Sequence, residues 1–462
     1  MKRAALVLIA LLLLPVLSHA YDLKAYPFTD PQKIVLLQRD GVSQPPSIHQ
    51  RYRGAEFDAD KPFFQWWYFA IKDHKNKRYF AFDYSVSDCA KDMTNRGSYV
   101  LFAMVDKVSG KNFQKYERYP FENFKAERDF DVSIRNNQDV DFEIEVIDND
   151  TYHVRGNMRN PSNVWFAEGC DPGMYIEWDL TIHRNYGWYG QYDIQNIAKA
   201  VGLIHWNTYS HDSEVEGFIR IGDTTYNIER NADFRAYCDM NWGENFPKGT
   251  PSIDFPWGWY HVNVPDADPK KDLSIIAGVG RHNLANALNG KAAQANIPGM
   301  GKFADIRLDA DTHIGVRSII MSPNSVEDVY QPGFVTTNDG LVKIFKIERD
   351  NWAIYTDAVG PAKIPLHQKI TIETTNYRTV MDFNSEIGDY NRLLFPHEDY
   401  IFSDFEALGV NVHVVISRLT EKTTYAKWDV ARKFPVKVKA FEVIRDFTSD
   451  DGGLEYGYNV NE

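Results

Sequence analysis

An aspartate, an amide and several large rings stand together in Arg235-Ala236-Tyr237-Cys238-Asp239-Met240-Asn241-Trp242-Gly243. Trp257-Gly258-Trp259-Tyr260-His261 follows after a short spacer. A carboxyl group among aromatic side chains either finds hydrogen-bond donors or is pushed toward its protonated form by loss of water. A protonated carboxyl can add a proton to an alkene, and ring faces stabilise the positive charge that results. Asp239 is therefore the candidate acid. Trp67, Trp242, Trp257 and Trp259 are the candidate apolar wall, Tyr237 and Asn241 are candidates for orienting a substrate, and His261 is a candidate base or hydroxyl partner. Each has a plainer reading. Asp239 caps its own turn or pairs with Arg235, the indoles are core, Asn241 satisfies loop backbone, and His261 is structural. Trp257, Trp259 and His261 share one face of a strand by the period-two rule, while Trp66 and Trp67 face opposite sides. His205-Trp206 and His211 with Asp212 and Glu216 form a second polar and aromatic group, which reads equally well as loop.

The elements that hold these residues are strands. Phe63 to Ile71 and Arg78 to Val86 flank a polar turn and read as a hairpin. Phe130–Ile134, Val140–Val146, Tyr152–Arg155 and Tyr175–Ile182 alternate apolar and polar residues, so one face is buried and the other wet. Val215–Ile221 and Thr225–Glu229 form the next hairpin and lead into the Asp239 stretch. The second half repeats the style at Leu273–Gly278, Phe303–Leu308, Val342–Ile347, Trp352–Tyr355, Ile370–Thr374 and Val410–Leu419. Ile194–Ala200 reads as a helical turn or two. Residues 280–301 read as a long loop or short helix forming a lid, and the acidic, Gly-rich tail from Thr448 as frayed. Many short strands, twice over, indicate two antiparallel barrels or sandwiches.

Lys2 and Arg3 precede an apolar run from Ala4 to Leu17 and then Ser18-His19-Ala20, the pattern of a cleaved signal peptide. The expectation is an exported protein, secreted or periplasmic or in a secretory lumen, with no integral membrane span. Roughly 440 residues then remain, too many for one core, so two domains are expected. A net charge of -13 argues against a nucleic-acid groove, and 14% aromatic residues suit β structure and a hydrophobic small-molecule ligand. Three cysteines in an oxidising compartment give one pair and one leftover, with Cys89 and Cys170 the candidate pair and Cys238 a small buried thiol. No paired His or Cys spacing marks a metal site.

Gln65-Trp66-Trp67-Tyr68-Phe69, Val215-Glu216-Gly217-Phe218, Tyr237-x-Asp239-x-Asn241-Trp242-Gly243 and Trp257-Gly258-Trp259 together resemble the tocopherol cyclase group. Ser274 to Gly280, and Phe402 to Glu406 with Val410 to Val414, are similar to the same pattern. That group is similar to hydroxyneurosporene-type carotenoid hydratases and to fungal Diels-Alderases. The resemblance implies an all-β chain of two tandem lipocalin-like antiparallel β-barrels, apolar and often isoprenoid substrates, and no organic cofactor. Cys238 and Met240 depart from the pattern, which is expected to carry a basic residue after the aspartate. The division expected is a signal peptide over 1–20, an arm over 21–60, barrels over 61–245 and 246–446, and a flexible tail over 447–462. The function expected is cofactor-independent, acid-initiated cyclisation, hydration or isomerisation of a hydrophobic molecule. A non-catalytic lipid carrier and a carbohydrate-active protein using Asp239 with Glu216 or Glu244 are the alternatives.

Overall fold

In the first strand, Phe63, Trp67, Phe69 and Ile71 point into one apolar core, while Phe64, Trp66, Tyr68 and Ala70 point into another. A strand buried on both faces reads as an unbroken apolar run, and this one does. Most of the architecture follows from that doubled burial. A computed structural model describes residues 62–126, 132–136, 139–148, 150–186, 205–243, 257–283, 298–308, 313–320, 334–337, 344–427 and 433–458. The expected signal peptide, the N-terminal arm and the helical turn near 194–200 lie outside the described residues, as do residues 284–297 of the loop expected over 280–301. The two ends of that loop are corrected, since 280–283 and 298–301 are strand and pair with each other from Gly280↔Gly301 to Asn283↔Pro298.

The first sheet holds β1 (Phe63–Asp73), β2 (Arg78–Asp88), β3 (Gly97–Asp106), β4 (Lys111–Tyr119), β5 (Phe124–Ala126), β6 (Val132–Asn136) and β7 (Asp139–Val146). It continues with β8 (Thr151–Met158), β9 (Val164–Glu168), β10 (Ile176–Tyr186), β11 (His205–Ile221), β12 (Thr224–Ile228) and β13 (Phe234–Gly243). The second sheet holds β14 (Trp257–Val264), β15 (Leu273–Asn283), β16 (Pro298–Arg307), β17 (His313–Ile320), β18 (Phe334–Thr337) and β19 (Ile344–Thr356). Its remaining strands are β20 (Pro361–Glu373), β21 (Tyr377–Asn384), β22 (Tyr390–His397), β23 (Tyr400–Lys427) and β24 (Lys433–Tyr458). The strand order is β5-β6-β7-β8-β10-β11-β13-β1-β2-β3-β4-β9 in the first and β18-β17-β16-β15-β14-β24-β23-β21-β20-β19 in the second, with β12 and β22 attached to β11 and β23. The pairings are antiparallel.

Each sheet curls around its own core, as tandem lipocalin-like barrels do. Side chains fill the first, with Phe82, Phe102 and Phe142 packed on the indole of Trp178. Val262, Ile275, Ile306, Phe405 and Val412 are among those filling the second. Phe64, Trp66, Tyr68 and Tyr79 from the first sheet meet Trp259, Leu393, Phe395 and Leu408 from the second in a third cluster between them. No helix among the described residues is long and apolar enough to cross a membrane.

Two expectations are corrected. The tail from residue 447 is not frayed: β24 continues to Tyr458, pairs with both β14 and β23, and buries Asp451, Leu454 and Tyr456. Its glycines read as flexibility, but two of them serve close packing. A Cβ on Gly453 would lie 2.9 Å from the ring of Trp259, and one on Gly452 would lie 2.7 Å from the carbonyl oxygen of Val410. Cys89 and Cys170 do not pair. All three cysteines are free thiols, with Cys170 directed at the carbonyl of Gln114 and Cys238 in the first core.

The join between the sheets also depends on Gly409, where β23 bulges. Its φ is +68°, and a Cβ there would lie 2.1 Å from the ring of Tyr79 on β2. Gly409→Ala is expected to destabilise the protein by about 2–4 kcal/mol, from left-handed backbone strain plus a displaced ring. A urea midpoint equal to that of the wild type would refute this account of the bulge.

Candidate functional site

The face that each sheet turns toward the other is polar in its depth. The register places Asp83 (β2), Tyr68 (β1) and Asp239 (β13) side by side in one row across three neighbouring strands. The second sheet sets Glu406 (β23), Glu455 (β24) and Trp259 (β14) in a row of its own. The Tyr68 hydroxyl crosses between the sheets to donate to Glu406 Oε1. Tyr237 donates to Asp239 Oδ2 at 2.6 Å, and Trp259 Nε1 donates to the same tyrosine oxygen at 2.8 Å. Asp404, two residues before Glu406 on the same strand face, is also buried.

Burial and the neighbouring acids hold three of these carboxyl groups, Glu406, Asp83 and Glu455, toward their protonated form. Burial, with Asp404 and Asp239 nearby, pushes Glu406 up to about 8, against the opposing hydrogen bond from Tyr68. Burial likewise holds Asp83 well above the ordinary carboxyl range, with Asp239 and Glu406 adding to it. Glu455 moves the same way, through burial and the neighbouring Asp404 and Glu406. Glu406 Oε2 and Asp83 Oδ1 are buried with no hydrogen-bond partner among the described residues. A carboxylic acid whose one oxygen accepts from a tyrosine and whose other is unengaged can offer its proton outward.

Deeper along the same seam lies a charged network. Lys72 Nζ donates to His261 Nδ1 at 2.8 Å and to Asp451 Oδ2 at 3.1 Å. His261 Nε2 meets the carbonyl of His211 at 2.9 Å. Arg307 donates to Asp212 at 2.9 Å and Arg235 to Asp272 at 2.8 Å. A ring that donates from Nε2 and accepts at Nδ1 is a neutral imidazole of one tautomer. Burial and the Lys72 ammonium hold the His261 pKa well below its ordinary value, in agreement.

Of the residues singled out from sequence, Tyr237, Asp239, Trp259 and His261 come together on this face, and half-buried Asn241 shares it. Asp239 is 6% exposed and bonded to Tyr237. Arg235, its expected alternative partner, is bonded to Asp272 instead. Trp67 and Trp242 are corrected. Both project into the first core, on the opposite sheet face from Asp239, because strand side chains alternate. Trp66 takes the place assigned to Trp67 and stacks on Phe395 at 4.6 Å. His261 is corrected as a base: both ring nitrogens are engaged, leaving its ring face, stacked at 5.6 Å on Trp259. Trp257 pairs through its backbone with Gly280, and its side chain lies outside the described residues. Glu216 sits on the outer surface against His183, and Glu244 lies outside the described residues, so neither forms a described carboxyl pair with Asp239.

Sequence reasoning passed over Tyr68, Asp83, Asp404, Glu406, Glu455, Lys72 and Asp451 as site residues, and left His211 and Asp212 open between a second polar group and loop. A signal existed: in Phe402-Ser403-Asp404-Phe405-Glu406 and Leu454-Glu455-Tyr456, acids alternate with rings or apolar residues. Among the described residues, no three His, Cys, Asp or Glu side chains are arranged to hold a metal ion.

The fold and seam define a two-barrel β protein with an aromatic and carboxyl-lined junction. The chain belongs to the tocopherol cyclase-like family, whose pattern matches residues 61–310. The departures at Cys238 and Met240 face the first core rather than the seam, where small and flexible apolar side chains pack well. Among solved structures, AttH from Nitrosomonas europaea is 11% identical with a TM-score of 0.42, covering 90% of this chain and 99% of its own. Kievitone hydratase from Nectria haematococca is 11% identical with a TM-score of 0.43, covering 89% and 94%. CghA is 7% identical with a TM-score of 0.43, covering 86% and 88%. No curated protein sequence matches the chain.

Proposed function

We propose that this protein converts a hydrophobic small molecule, of isoprenoid type, by adding a proton from a seam carboxyl to an alkene. The outcome is cyclisation, hydration or isomerisation, with no redox change. The observation that carries this reading is Asp239, buried between the sheets and held by the Trp259–Tyr237 hydrogen-bond chain. Family membership supports a catalytic role on a hydrophobic substrate. Asp239 is the proton donor, Tyr237 orients it, and Tyr68, Tyr237 and Trp259 present ring faces to the cation. Asn241 faces the same side and is placed to take a substrate hydroxyl. The Lys2 to Ala20 pattern supports export of the mature chain.

The test uses the purified protein with lipid extracts in deuterated water. Proton addition to carbon leaves deuterium on a product carbon, read by mass spectrometry. Asp239→Asn is expected to lower that incorporation by at least about 100-fold, since a positioned acid contributes on that scale. Unchanged incorporation in the variant would remove Asp239 from the chemistry. Lipids that bind but never gain deuterium would establish the carrier reading instead.

A further inference from the structure

The seam gathers five carboxyl groups, Asp83, Asp239, Asp404, Glu406 and Glu455, beside the rings of Tyr68, Tyr237 and Trp259. Lys72 acts on Glu406 from the same face, yet its ammonium is already bonded to His261 and Asp451. Arg235 and Arg307 are likewise occupied by Asp272 and Asp212. Two buried oxygens, Glu406 Oε2 and Asp83 Oδ1, have no hydrogen-bond partner among the described residues. Glu406 is 1% exposed and Asp83 3%. Buried oxygens without partners are costly, and a positive centre placed among them relieves that cost. The surrounding π faces attract the same charge.

We propose that the seam selects ligands by charge: it binds an apolar chain carrying one positive centre, tolerates the uncharged equivalent, and rejects an anionic one. This rests on the reading that the seam takes a hydrophobic molecule, and sharpens it. Prenyl diphosphates fall in the rejected class, because the seam's cations, Lys72, Arg235 and Arg307, are already paired with carboxylates and the groups that remain lose protons to negative charge. A cation formed from a neutral substrate is stabilised in the same place, so a stable cation of matching shape binds as a transition-state mimic.

Titration calorimetry with three ligands of one chain length tests this: farnesyltrimethylammonium, its uncharged tert-butyl isostere, and farnesyl diphosphate. The ammonium is expected to bind at least tenfold more tightly than the isostere, with no detectable binding of the diphosphate. Its affinity should rise with pH through the range in which Glu406 ionises. The groups facing Glu406 are Tyr68, Asp83, Tyr116, Asp239, Asp404, Glu455 and Lys72, and the carboxyl groups among them favour the cation further as they lose protons. Glu406→Gln should shrink the ammonium-to-isostere ratio severalfold, and Asp83→Asn gives the same readout should the first variant fold poorly. Equal affinity for ammonium and isostere would overturn the charge proposal while leaving the hydrophobic-substrate reading intact. Tight diphosphate binding, or a ratio unmoved in both variants, would overturn it too. Failure of all three ligands to bind would overturn both readings.

Discussion

Glu406→Gln is expected to leave stability nearly unchanged near about pH 5 and to raise it near about pH 9, where the wild type weakens. A free glutamate titrates at 4.5, and in the folded chain Glu406 is pushed up to about 8. Between those values the folded state holds a proton that the unfolded state has released. Stability from this group is therefore fully present below 4.5 and is lost as pH rises through about 8. The cause is burial, reinforced by Asp404 and Asp239 and opposed by the hydroxyl of Tyr68. A gap of that width corresponds to on the order of 5 kcal/mol. Asp83 and Glu455 are raised in the same sense and steepen the wild-type decline. Glutamine keeps the volume and can still accept from Tyr68, but it never ionises. Urea midpoints across that pH range make the comparison. Parallel curves for wild type and variant would mean that Glu406 is not protonated in the folded chain.

The largest effect on folding is expected from the C-terminus. A chain ending at Phe447 should be recovered only as aggregate or unfolded polypeptide, whereas one ending at Tyr458 retains every described strand. The deleted segment pairs with β14 from Gly258↔Tyr456 to His261↔Gly453. It places Leu454 and Tyr456 in the second core, together contributing about 3–6 kcal/mol. It also supplies Asp451, which accepts from Lys72 and from the backbone of Asn263. Without it Lys72 is a buried ammonium lacking its counter-charge, a loss of about 3–5 kcal/mol. Those terms together approach the whole stability of a typical domain. Gel filtration and far-ultraviolet circular dichroism of both truncations decide the matter. A shortened chain that elutes as a folded monomer would show that β24 only decorates the sheet.

The strands themselves were legible because many are wet on one side. Tyr152 and Val154 enter the first core while His153 and Arg155 remain outside, so alternation in the sequence is alternation in space. The same rule put Trp259 and His261 on one face and separated Trp66 from Trp67. It left open which indole faced the second barrel. When both faces of a strand are buried, the contrast that normally reports orientation disappears, and Trp66 and Trp67 look alike. Glu406 and Asp83 were missed for the complementary reason. An acid alternating with apolar residues reads as a solvent-facing position, and only the second sheet laid across it makes that position interior. Asp239 stood out because Tyr237, Asn241 and Trp242 cluster around it in the chain, although Trp242 then turned out to face away. The tail was misread from its glycines, of which Gly453 serves the close approach of Trp259 and Gly452 that of the Val410 carbonyl and Phe383.

The ion pair between Lys72 and Asp451 joins residues 379 positions apart. On the ribosome the first sheet is complete by Gly243, but its inward partner is finished only when Tyr458 emerges about 215 residues later. At ordinary elongation rates that interval is on the order of 10–40 s. Throughout it, Trp66, Tyr68, Lys72 and Tyr79 have no second barrel to cover them. The nascent chain therefore carries an open, sticky and inactive half-site for nearly half of its synthesis. Chaperone demand should be concentrated in that window, and no nascent chain can turn over substrate before its final strand is released.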